Sequence, residues 1–112
     1  MRILDLPLKA VWYLMIESGE KPEEYREITD YWSKRLCCYK MSGFFCDLCK
    51  HIDCNSADND EDKRYTHVRF RYGYTKRTML FKLNSISTGK GNPAWGAPEY
   101  EVFILKLGKR IK

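Results

Sequence analysis

The chain changes period at Ser18-Gly19. Before that point Leu8, Val11, Trp12, Met15 and Ile16 recur at helical spacing; after it, period two takes over. A glycine there can adopt the left-handed conformation that ends a helix. The pattern predicts a helix over residues 9–18 and a strand over 23–28, joined through Glu20-Lys21-Pro22. On such a strand Glu24, Arg26 and Ile28 share one face and Tyr25 takes the other. The junction therefore gathers an amine (Lys21), a carboxylate (Glu24) and a guanidinium (Arg26).

The remaining elements follow from alternation and punctuation. Residues 2–8 read as a strand, with Pro7 marking its end or a sheet edge. Thr29 or Asp30 can cap a short second helix running from Tyr31 to about Cys37. Over 66–72, Val68, Phe70 and Tyr72 point one way and His67, Arg69 and Arg71 the other. Gly73 turns the chain, and 77–83 forms the second arm of a hairpin, with Met79, Phe81 and Leu83 on one face. Ser85-Ile86-Ser87 leads into a flexible loop, Gly89-Lys90-Gly91-Asn92-Pro93, and Trp95 follows between small residues. Residues 99–107 form the last strand, apolar on both faces at Val102-Phe103-Ile104-Leu105, as a buried central strand should be. Gly108-Lys109-Arg110 reads as a basic exit.

A chain of 112 residues with 44% hydrophobic content suits one domain with a real core. Strands dominate, so the expected fold is α+β: a small, partly closed β-barrel with about two N-terminal helices. Residues from about 38 to 63 stand apart as a loop insertion, cysteine-rich and then acidic. Five cysteines, an odd number with no secretory signal, argue against a disulfide scaffold. The apolar run Ala10 to Ile16 is far shorter than a membrane span. We therefore expect a cytoplasmic protein with no membrane partner.

A net charge of +5 favours anionic partners, nucleic acid first. Lysine offers a point charge for a phosphate or carbonyl oxygen, and arginine a planar fork for phosphate or a base edge. Glutamate can orient either cation or accept from an exocyclic amine. The competing reading of Lys21, Glu24 and Arg26 is a solvated strand face, whose ion pairs contribute little. Arg69 and Arg71, with Lys76, Arg77, Tyr72 and Tyr74 nearby, suit a single-stranded nucleic acid or, equally, a strand edge protected by charge. Trp32 and Trp95 could stack on a base or fill the core. Cys37, Cys46, Cys49 and Cys54 could close a tetrahedral structural zinc site, Cys38 and His51 being alternative ligands. Free buried cysteines are the competing reading. No Gly-rich phosphate loop, nucleophile elbow or paired-carboxylate arrangement occurs, and no cofactor is required.

The spacing Gly19-x-Lys21-x-x-Glu24-x-Arg26 after a helix resembles the signature of the ASCH domain family, which belongs to the PUA-like β-barrels. Val68-Arg69-Phe70, Gly73-Tyr74, the Gly91 to Gly96 stretch with Trp95, Val102-Phe103-Ile104 and Leu107-Gly108 are similar to its later parts in order. The resemblance implies a cleft between the first helix and the barrel that binds RNA or a nucleotide-like ligand. Lys21, Glu24 and Arg26 would line it, with Trp32, Arg69, Arg71 and Trp95 as further contacts. Some small members look like amidohydrolases acting on acylated cytidine, with a lysine, a threonine and a later glutamate as the catalytic set. Lys21 matches that lysine, whereas Glu24 stands where the threonine would be. If this chain is such an enzyme, Lys21 and Glu24 are its catalytic candidates. That chemistry needs Lys21 in a dry pocket, and an exposed Lys21 would favour a binding module.

Overall fold

The computed structural model describes residues 1–36 and 65–112. The insertion expected at about 38–63 and the zinc candidates Cys37, Cys46, Cys49 and Cys54 lie outside the described residues. In chain order the elements are β1 (Ile3–Leu8), α1 (Ala10–Glu17), β2 (Glu23–Glu27), α2 (Asp30–Leu36), β3 (His67–Tyr72), β4 (Thr78–Gly89), a 3-10 turn (Pro93–Trp95) and β5 (Val102–Arg110). The strands form one sheet in the order β1-β3-β4-β5-β2. Only β1 and β3 run parallel; the other neighbours are antiparallel. The sheet curls into a half-barrel carrying the two helices, so the architecture is α+β and barrel-like. No described helix is long and apolar enough to cross a membrane.

Alternation fills the hollow of the curl. Leu4, Leu6 and Leu8 of β1, Val68 and Phe70 of β3, and Phe103 and Leu105 of β5 are buried in one cluster with Tyr13 and Ile16 of α1. The opposite face of β5 is covered too. Val102 and Ile104 join Tyr25 and Ala97 in a smaller cluster, against which Trp95 rests. The expected hairpin is β3–β4, with Phe70 opposite Met79.

Three expectations need correction. Helix α1 does not bury the stripe that its spacing suggests. Tyr13 and Ile16 face the core, while Val11 is exposed and Trp12 and Met15 lie on the flank. The cause is the Tyr13 ring, which stands edge-on to Tyr72 at 5.2 Å. Arg77 lies over both rings and pairs with Glu17 at 2.9 Å, holding the helix in that rotation.

Strand β4 continues through Ser85-Ile86-Ser87 to Gly89 rather than dissolving into a loop. Register shifts around Leu83 insert a residue, so the next inward side chain is Ile86, three positions on. Strand β5 begins at Val102, and the supposed basic exit is its paired end, with Arg110 opposite Phe81.

The curl leaves β1 and β2 as the two edges. Alternate residues of an edge strand turn their backbone groups away from the neighbour. Leu8 O accepts from Gly73 N at 2.8 Å, and Pro7, one residue earlier, turns outward with no N–H left unpaired. Its carbonyl accepts from Arg26 Nη2 at 3.3 Å, which ties edge to edge.

The loop before β5 closes one end of this seam. Asn92 Oδ1 accepts from Ala94 N at 2.9 Å to start the 3-10 turn, and Gly96 ends it at φ +93°. A Cβ on Gly96 would lie 2.8 Å from the Trp12 ring, whereas one on Gly19 (φ +87°) would meet nothing within 4 Å. We expect Gly19→Ala to cost about 1 kcal/mol, from backbone strain alone. Gly96→Ala should cost about 3 kcal/mol, because a clash adds to the strain. Urea unfolding midpoints check the difference, and equal losses would contradict the close Gly96–Trp12 contact.

Candidate functional site: a charged pocket in the seam

The pocket lies where the two sheet edges meet. Pro7, Leu8 and Lys9 border one side, Lys21, Glu24, Tyr25 and Arg26 the other, and Trp12, Trp95 and Gly96 complete the wall. Its volume is about 320 Å³, within the roughly 300–1,000 Å³ typical of small-ligand sites.

The local fold explains why the charged residues converge here. Gly19 takes positive φ and lets the chain double back, so Lys21 N donates to Met15 O in α1 at 3.0 Å. That bond fixes Lys21 against the helix end just before β2 begins. The side chain then runs inward and is only 2% exposed. Its Nζ donates to Glu24 Oε1 at 2.7 Å and to Trp95 O at 2.8 Å. The Trp12 ring centroid lies 4.7 Å from Nζ and that of Tyr25 5.3 Å, so two aromatic faces flank the ammonium.

Glu24, 3% exposed, accepts three hydrogen bonds, the first from Lys21. Oε1 also accepts from Tyr25 N at 3.0 Å, and Oε2 accepts from Arg26 Nη1 at 2.9 Å. Arg26 Nη1 donates in addition to Tyr25 O at 2.9 Å. The carboxylate thus sits between two cations, and Lys9 adds a third positive charge to the lining. Glu24 is the acidic residue of the lining, so the pocket carries excess positive charge and suits an anion.

Tyr25 lines the same side as Glu24 and Arg26. Its hydroxyl donates to Glu23 Oε2 at 2.7 Å and accepts from Asn92 N at 3.0 Å. Burial is the main cause that pushes its pKa from 10.0 up to about 12; the Glu23 and Glu24 carboxylates add to the rise and the Asn92 N–H opposes it.

Of the residues singled out in the sequence, Lys21, Glu24, Arg26 and Trp95 come together here. Trp32 does not line the pocket; its ring lies 5.3 Å from Arg26 Cζ and supports the guanidinium from α2. Arg69 and Arg71 stand apart as well. Arg69 pairs with Asp5 at 3.3 Å, and Arg71 donates to Thr75 O at 3.1 Å. Trp12 and Lys9 are lining residues that the sequence reading did not single out. Trp12 looked like part of the helix's apolar stripe, and only the rotation of α1 turns it to the seam. Among the described residues no three His, Cys, Asp or Glu side chains gather as a metal-holding group. Compared with family models, curated proteins and solved structures, the chain matches none.

Two predictions follow from the pocket's charges. Removing either partner of the Lys21–Glu24 pair leaves the other buried, so Lys21→Met and Glu24→Gln should each cost about 3 kcal/mol. The double variant should lose less than the sum by more than about 1 kcal/mol, as chemical unfolding of all four proteins would measure. Strict additivity would contradict direct coupling. The Tyr25 hydroxyl is favoured neutral in the folded chain, its pKa being raised above the unfolded value. Its contribution is therefore complete below pH 10 and lost as pH rises through about 12. Unfolding midpoints should fall across that window, and Tyr25→Phe should flatten the fall.

Proposed function

We propose that this chain is an ASCH-type, PUA-like domain whose seam pocket binds a nucleotide unit, presented free or as part of an RNA strand. The observation that carries the reading is the pocket's lining, in which Arg26, Lys9 and aromatic rings surround a floor held by Lys21 and Glu24 and leave excess positive charge. Cations meet phosphate or carbonyl oxygens, and Trp12 and Trp95 offer faces to a base. The half-barrel with its helix-to-strand junction at Gly19-x-Lys21-x-x-Glu24-x-Arg26 agrees with such a domain.

A second reading rests on one contact. An amine 2.7 Å from a carboxylate at the floor of a pocket is a pair that can shuttle a proton. Under it the chain is an amidohydrolase for an acylated cytidine, with Lys21 and Glu24 as catalytic residues. The burial of Lys21 favours this reading more than an exposed lysine would have done.

The test uses nucleoside monophosphates, a short single-stranded RNA and acylated cytidine, with wild type, Arg26→Ala and Lys21→Met. Calorimetry should show nucleotide binding that Arg26→Ala weakens about tenfold, the loss of one charge-assisted contact. Binding should also weaken between about 50 and 200 mM salt. No binding by the wild type, or binding indifferent to both Arg26→Ala and salt, would remove the reading. Release of the acyl group by the wild type and not by a folded Lys21→Met would replace it with the hydrolase.

A further inference from the structure

We infer that the ligand extends beyond one nucleotide: two consecutive nucleotides of a single strand straddle Arg26, the second entering a neighbouring hollow. The inference rests on the nucleotide reading of the pocket and deepens it. The second hollow, of about 220 Å³, lies beside the first and shares Tyr25, Arg26 and Gly96 with it. Edge strand β2 and the segment leading into β5 enclose it, adding Glu27, Pro98 and Tyr100. The two spaces share the wall of Tyr25, Arg26 and Gly96 and both open to the surface, so a strand lying over Arg26 faces both.

The chemistry changes across the divide. Arg26 stands between the spaces with 17% of its side chain exposed. Its Nη1 serves Glu24 and Tyr25 O, and one Nη2 proton serves Pro7 O. The Nε–H and the other Nη2 proton have no partner among the described residues. A guanidinium already fixed on one side and open on the other suits a phosphodiester between two nucleosides.

Beyond it, among the described residues, the charged addition is acidic. Glu27 Oε1 accepts from Tyr100 OH at 2.9 Å, which leaves Oε2 as an acceptor. A carboxylate disfavours a second phosphate there and suits a base amine or a ribose hydroxyl. Tyr100 is 55% exposed, yet that bond tethers its ring beside the hollow. A tethered ring loses little freedom when a base stacks on it.

The experiment compares a nucleoside monophosphate with the corresponding dinucleoside monophosphate, titrated by calorimetry into the full chain. The dinucleotide should bind about tenfold more tightly in the wild type, the increment of one stacked base. Tyr100→Ala should bring the ratio of the two affinities close to one. Tyr100→Phe, which keeps the ring and loses the Glu27 bond, should retain most of it. A ratio near one in the wild type, with the mononucleotide still bound, would overturn this inference and leave the pocket reading intact. So would a ratio that Tyr100→Ala does not change. Failure to bind the mononucleotide would remove the pocket reading itself, and this one with it.

Discussion

The buried contact between Lys21 and Glu24 is the constraint on which the rest of the pocket depends. Taking a carboxylate and an ammonium out of water costs several kcal/mol per ion, and a bare pair seldom recovers that. Here the cost is offset by further hydrogen bonds and ring contacts. Glu24 accepts from Lys21, Arg26 and the Tyr25 amide, while Lys21 also meets Trp95 O and two aromatic faces. Those partners come from α1, β2 and the turn before β5, so one pair of charges joins three separate parts of the chain. An apolar pair of equal volume could hold the same elements together. It would not place a cation at the floor of a hollow.

The pair sits where it does because the sheet curls without closing. A flat sheet of the same strand order would hold β1 and β2 at opposite ends. The curl, helped by the register shifts in β4, swings them to either side of one opening. The residues beneath that opening are the ones that follow the helix stop, since β2 is the last strand in the sheet order and Lys21 lies two residues before it. Site and seam are thus the outcome of one topological fact.

Much of this was legible in the chain itself. Ser18-Gly19 marked the end of α1, alternation marked β2, β3 and the first half of β4, and the doubly apolar Val102-Phe103-Ile104-Leu105 marked a covered strand. The meeting of Lys21, Glu24 and Arg26 followed from their places around the junction. What could not be read there depends on contacts between distant residues. Tyr13 wins the core face of α1 through Tyr72 and Arg77, about sixty positions away, and no periodicity within the helix reveals that. The slip in β4 disguised Ile86, because the inward side chain arrives one residue late. Trp12 joined the pocket only once α1 had turned. Arg69 and Arg71 share a strand face as expected, yet β3 lies inside the sheet order, away from the seam.

The way the seam is fastened has a consequence for what it can hold. A ladder of backbone bonds resists separation at every rung at once. Between β1 and β2 there is no such ladder among the described residues; the join made by Arg26 to the Pro7 carbonyl is a side-chain fastening. The same guanidinium borders both hollows. A shift of that guanidinium off the Pro7 carbonyl would therefore part the two edges and reshape both hollows at once.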